Sequence, residues 1–169
     1  ESFSGPLSLM VAQRNIPNVI GVVLVASFIS APNIKLGKFL PWHLGFILTK
    51  PLYGLRVLLS SPKSASYIRA ISVELQKVSP AVLADRIRSI FEVNASEALL
   101  SCPVPVHYLR GTKDFVVPQK NLKKIRALCP SITVSELRTQ HFLIQEAPVE
   151  AWEAIMQFVS KLKTKQGSV

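Results

Sequence analysis

The stretch Val19-Ile20-Gly21-Val22-Val23-Leu24-Val25-Ala26 constrains the fold more than any other in the chain. It is a continuous, largely β-branched apolar run, without the alternation of a half-solvated strand. Such a run reads as a strand buried on both faces, the situation of a parallel sheet covered by helices on each side. Two later segments, Val104 to Leu109 and Ile132 to Leu137, read as further strands. Helices are predicted around them. Gly5 and Pro6 open the first, because the missing N–H of a proline has no intrahelical partner in the first turn. Leu9, Val11 and Ala12 make that helix largely buried, and Asn15 and Pro17 end it. Pro118 opens another, with Leu122, Ile125 and Leu128 apolar. A last amphipathic helix is predicted to bury Trp152, Ile155, Met156, Val159 and Leu162. The order is helix, strand, helical insertion, strand, helix, strand, helix. That is an α/β protein, with a parallel sheet of about three strands and right-handed crossovers.

The insertion is expected over residues 31–100, between core segments 1–30 and 101–169. Its first part carries Pro32, Pro41, Pro51 and Pro62, with Trp42, Tyr53 and many leucines between them. So much proline leaves no clean period, and short helices joined by loops are expected. Tyr67, Ile68, Ile71, Leu75 and Val78 then follow helical spacing. Ser79-Pro80 is a helix start, a capping hydroxyl followed by proline at the first helical position, with Leu83, Ile87, Ile90 and Phe91 as the buried stripe. Asn94 with Glu97 three residues on resembles a capping box for a third short helix through Leu100.

At 169 residues, 49% hydrophobic and 18% charged, the chain can build one substantial core and is far from disorder. Its 20 Lys and Arg outnumber 10 Asp and Glu, giving a formal charge of +10. The basic residues thicken at Lys120–Arg126 and Lys161–Lys165 but lack interleaved exposed aromatics or a recognisable module. They read as solvated helix faces and not as a nucleic-acid surface. Cys102 and Cys129 do not make a disulfide framework and read as small buried thiols, fitting a reducing, cytoplasmic setting. Asn94-Ala95-Ser96 matches a glycosylation sequon, a triplet common by chance. The longest apolar stretches, Val19 to Ile29 and Phe39 to Leu48, fall short of the roughly 18–20 residues that span a bilayer. No transmembrane segment is therefore expected. No metal-ligand spacing and no glycine-rich phosphate loop is present, and no cofactor is expected.

Functional loops in such sheets lie at the carboxyl ends of the strands. Three polar groups fall there in sequence: Ser2 in the opening turn, Asp114 after the strand 104–109, and His141 after the strand 132–137. Three short segments carry these groups. They are Glu1-Ser2-Phe3-Ser4-Gly5, Leu109-Arg110-Gly111-Thr112-Lys113-Asp114-Phe115-Val116-Val117-Pro118, and Gln140-His141-Phe142-Leu143. They resemble, in order, the nucleophile elbow, the acid turn and the histidine loop of the α/β-hydrolase fold, in which the triad runs Ser…Asp…His. The chain is similar over nearly its whole length to the carboxyl-terminal two-thirds of such proteins. Within the elbow the residue two beyond the nucleophile must be small. Ser2 satisfies this with Ser4, where the family more often has glycine, whereas Ser4 would put Pro6 there. Ser2 is therefore preferred.

The resemblance implies a serine hydrolase of the carboxylesterase kind, acting on a small or medium acyl substrate through an acyl-enzyme on Ser2. His141 would be the base and Asp114 its orienting acid, with the backbone N–H of Phe3 as one oxyanion donor. His107, within a strand, reads as a satisfied core or edge histidine, and His43 as a surface one. The insertion would be a cap, with Trp42, Phe46 and Tyr53 contacting substrate. The second oxyanion donor and the strand leading into Ser2 are expected upstream of residue 1, so residues 1–169 alone are expected to turn over little substrate. Acyltransfer and C–C hydrolysis are other chemistries of the same triad. A non-catalytic binding or scaffold protein is the alternative from another class. Peripheral membrane contact through Phe39–Leu48, with Lys35, Lys38 and Lys50 nearby, is a third reading.

Overall fold

The computed structural model describes residues 1–31, 69–70 and 73–166, with side chains to 164. The chain divides into two compact units, Glu1–Ser30 with Val93–Val169, and Ala31–Glu92.

The first unit is built on a parallel sheet of strands β1 (Val22–Val25), β2 (Val106–Gly111) and β3 (Thr133–Leu137), in that spatial order. Val22 to Val25 pair with Val106 to Leu109, and His107 to Gly111 pair with Thr133 to Leu137. Helices α1 (Ser4–Ala12), α3 (Ser96–Leu100) and α4 (Lys120–Leu128) share one core with the sheet. There Leu9, Ala12, Leu99, Leu122 and Ile125 meet Val22, Leu24, Val106 and Tyr108. The alternate strand residues Val25 and Leu109 join the short α5 (Leu143–Glu146) and the long α6 (Pro148–Gln166) in a second core, with Leu143, Ala151 and Ala154. Burial on both sides explains why Val22–Val25 reads as an unbroken apolar run, whereas β3 is only partly covered. Of the second unit, residues 73–77 are helical and α2 (Pro80–Glu92) follows.

Several expectations are corrected in detail. β1 is shorter than Val19–Ala26, because Asn18 at φ 70° and Ala26 at φ 43° turn the chain at either end. The last helix buries Ala151, Ala154, Phe158 and Leu162, while Trp152 and Met156 are exposed. The reason is approach distance: two alanines one turn apart let α6 lie close on β2 and β3, which turns Trp152 and Met156 outward. Asn94 does not form a capping box. Its Oδ1 accepts the Ser96 N–H at 3.1 Å, an Asx turn, and Ala95 is the N-cap residue, with no side-chain cap. Ser79 does cap α2, its Oγ accepting the Val82 N–H at 3.3 Å, but only Leu83 of the expected stripe is fully buried. Tyr67, Ile68 and Ile71 lie outside the described residues. Cys102 and Cys129 are free thiols, half-buried where full burial was expected. Lys120, Lys123, Lys124 and Arg126 lie exposed on α4, as do Lys161 and Lys163 on α6.

Candidate active site

The carboxyl ends of the strands bring Ser2, Asp114 and His141 together. Ser2 sits on a turn just ahead of α1, at φ 53°, a left-handed conformation that non-glycine residues seldom adopt. Its N–H donates to the Val25 carbonyl at the end of β1 (2.9 Å), and the turn is closed by Ser4 N–H to Glu1 C=O and Gly5 N–H to Ser2 C=O, both 3.2 Å. The hydroxyl therefore stands at the tip of a tight corner between sheet and helix.

Asp114 follows β2 on a turn tied to the next connection: Thr112 N–H donates to Leu137 C=O at 2.8 Å and Lys113 N–H to Thr139 C=O at 2.9 Å. Its Oδ1 accepts the N–H groups of Val116 (2.8 Å) and Val117 (2.9 Å), so the carboxylate caps its own loop. Its Oδ2 lies 2.9 Å from His141 Nδ1. Burial pushes this carboxyl up. Hydrogen bonds from His141 and Val117, attraction to His141 and the Val116 N–H outweigh that and hold it below the ordinary carboxylate value. An ionised carboxylate only accepts, so His141 Nδ1 carries the proton and Nε2 of the neutral ring is an acceptor. That Nε2 lies 3.1 Å from Ser2 Oγ, which places the hydroxyl as donor.

The loop bearing His141 is fixed from two sides, by the Lys113–Thr139 bond and by Gln140 N–H donating to Glu146 Oε2 at 2.9 Å. Glu1 is tied to the same short helix, Gln145 Nε2 donating to Glu1 Oε2 at 3.1 Å. Among the described residues the Phe3 N–H has no backbone acceptor, so it is available at the elbow as a donor. Trp42, Phe46, Tyr53 and His43 lie outside the described residues.

His107 is buried in β2 at 4% exposure but only half satisfied: Nδ1 pairs with Thr133 Oγ1 at 2.8 Å, while Nε2 has no partner among the described residues. Burial, then the nearby Lys161 charge, lowers its pKa. It stacks on Phe158 with ring centroids 5.1 Å apart. A cavity of about 810 Å³ opens near Val104–Val106, where β2 begins, with Cys102, Cys129, Phe158 and Leu162 in its lining. Ser2, Asp114 and His141 are not in its lining. Among the described residues no group of three His, Cys, Asp or Glu side chains could hold a metal, and no helix is long and apolar enough to cross a membrane.

Sequence reasoning missed Ser27 and Tyr108. Ser27 is fully buried, and its Oγ donates to the Ser2 carbonyl at 2.7 Å. Tyr108 contacts Ser27 through its hydroxyl. The available signal was a tyrosine inside an aliphatic strand, whose buried hydroxyl must find a partner.

The chain has part of the α/β-hydrolase fold. A carboxylesterase structure from the ammonia-oxidizing Thaumarchaeon Nitrososphaera gargenis matches 98% of this chain at 17% identity and a TM-score of 0.77. An esterase from Rhodococcus sp. ECU1013 matches 95% at 21% identity and 0.69. A putative non-heme bromoperoxidase from Mycobacterium tuberculosis matches 94% at 16% identity and 0.68. The chain spans 64%, 63% and 64% of these three proteins, respectively. No protein-family model matches it. A 54-residue stretch, 32% of the chain, is 35% identical to ethanol acetyltransferase 1 of Wickerhamomyces anomalus and covers 14% of that protein.

Proposed function

We propose that the protein is a serine hydrolase of the esterase type, with Ser2 as nucleophile, His141 as general base and Asp114 as the orienting acid. The observation that carries this reading is the position of the His141 ring, between Ser2 Oγ at 3.1 Å and Asp114 Oδ2 at 2.9 Å, on an elbow at φ 53°. A serine hydroxyl is a weak nucleophile until a base takes its proton. As Ser2 Oγ bonds to an ester carbonyl carbon, its proton passes to His141 Nε2, and the Asp114 carboxylate stabilises the imidazolium. The carbonyl oxygen becomes an oxyanion facing the Phe3 N–H. Collapse breaks the ester C–O bond, and the leaving alkoxide takes the proton from His141, which leaves an acyl-enzyme. Water, deprotonated by His141, attacks the acyl carbon and releases the carboxylic acid with Ser2 restored.

An oxyanion hole of this kind uses two donors, and each is worth about 2.7–4 kcal/mol of transition-state stabilisation. We assign one of them to the Phe3 N–H. Selection of the acyl or alcohol group is assigned to the insertion, through Trp42, Phe46 and Tyr53. The esterase neighbours favour water as the final acceptor. The stretch similar to an ethanol acetyltransferase favours a second reading, in which an alcohol attacks the same acyl-enzyme and a new ester is formed.

The test uses the full-length natural protein, a fluorophosphonate probe and p-nitrophenyl acetate. Ser2→Ala should abolish both covalent labelling and turnover, by about 10⁴-fold or more. Label or turnover that survives this substitution would sink the triad. Added ethanol separates the two acceptors: ethyl acetate formed in excess of acetate identifies acyltransfer.

A further inference from the structure

Beneath the elbow lie two buried hydroxyls that the triad does not use. Tyr108 stands on the central strand at 1% exposure. Its Oη accepts the Ser27 N–H at 3.2 Å and donates to the Ser27 carbonyl at 2.6 Å. The β1–β2 pairing ends at Val25 and Leu109, and Ala26 N–H makes one more bond, to the Leu109 carbonyl at 2.9 Å. Past that point the phenol does for Ser27 what a neighbouring strand would do, satisfying both of its peptide groups. Burial raises the Tyr108 pKa, so the phenol keeps the proton it donates.

Ser27 turns its own hydroxyl the other way, to the Ser2 carbonyl at 2.7 Å. The Ser2 N–H is held by Val25 at 2.9 Å. Both sides of the nucleophile's backbone are thus tied to the segment that leaves β1. The fit is close. A Cβ added at Gly5 would lie 1.9 Å from Ser27 Oγ, so Gly5 leaves the space that this hydroxyl fills. A serine at φ 53° persists only where its surroundings over-determine it, and these bonds do so.

We propose that Ser27 and Tyr108 are positioning residues for the nucleophile: Tyr108 fixes Ser27, and the Ser27 hydroxyl fixes the Ser2 carbonyl, so that Ser2 Oγ stays within reach of His141. The proposal rests on the reading of Ser2 as nucleophile. It differs from a purely structural role, in which the two hydroxyls only satisfy a buried turn. A structural role lowers the melting temperature and leaves kcat per folded molecule unchanged.

The experiment compares Ser27→Ala, Tyr108→Phe and Ser2→Ala in the full-length protein. It measures the rate of fluorophosphonate labelling, kcat and KM on p-nitrophenyl acetate, and thermal melting. Misplacing a reacting group by about 1 Å costs on the order of a hundred-fold. Ser27→Ala should therefore slow labelling and kcat by about ten-fold or more while KM stays within about two-fold. Tyr108→Phe should move the same quantities in the same direction. Labelling and kcat at the wild-type rate in Ser27→Ala, with Ser2→Ala unlabelled, would overturn the positioning role and leave the triad intact. Label persisting in Ser2→Ala would overturn both. If Ser27→Ala does not fold, Tyr108→Phe decides, because it removes one oxygen and keeps the ring's packing; wild-type labelling of that variant overturns the proposal.

Discussion

The two ends of strand β1 are entered and left through left-handed residues, held there in different ways. The turn leading from α1 to β1 uses Asn15 at φ 51° and Asn18 at φ 70°. Asparagine tolerates this region because its short amide bonds locally to the backbone. At the other end of the strand stand Ser2 at φ 53° and Ala26 at φ 43°, residues without that tolerance. They are held from outside, by Val25, Ser27 and Leu109. One turn is specified by the residues in it, the other by the residues around it. Strain of this kind persists only where the surroundings impose it, and here it lies where Ser2, Asp114 and His141 meet.

That contrast can be broken from its most sensitive side first. Gly111→Ala should do the most damage. A Cβ there would lie 2.5 Å from the Gln140 carbonyl and 2.7 Å from that of Thr139, both backbone atoms of the loop carrying His141. The loop must move. We expect esterase turnover to fall about a hundred-fold and the stability measured by urea unfolding to drop by about 1–3 kcal/mol.

A smaller effect separates the two turns. Asn18→Ala should destabilise by about 1 kcal/mol, the cost of a left-handed residue without its amide. Ala26→Gly should cost less or even stabilise, because release of strain offsets the added freedom of the unfolded chain. Equal losses in urea unfolding of the two variants would erase the distinction between the turns.

The smallest effect belongs to His107. Its folded-state pKa lies below the ordinary 6.5, so the unfolded chain binds the proton more readily. The stability from its neutral state is fully present above pH 6.5 and is lost as pH falls toward the folded value. His107→Gln should flatten that part of a melting-temperature profile. An unchanged slope would mean that the group does not titrate there.

Much of the architecture was legible because its cause is local. A strand covered on both faces is an unbroken apolar run, and Val22–Val25 announced itself that way. Its ends did not. Val19 and Ile20 are as apolar as the strand, but Asn18 turns the chain before them, and Ile20 is 39% exposed. The register of the last helix was hidden because Ala151 and Ala154 face the sheet for their smallness, which an apolar count undervalues. Asp114 and His141 could be picked out by position after strands, and Ser2 by its small-residue turn and by the order of the three. Tyr108 showed only as a tyrosine inside an apolar strand, and Ser27 not at all, since their pairing joins residues 81 apart and leaves no motif.

Tyr108 and Asp114 both depend on β2, the one within it and the other three residues beyond its end. The strand whose Tyr108 holds Ser27 therefore also leads the chain to Asp114. Loosening of β2 would disturb the Ser27 attachment and the Asp114 turn together. Ser2, through Ser27 and Tyr108, and Asp114 are thus both coupled to one strand. The placement of both groups against His141 depends on the integrity of that central strand.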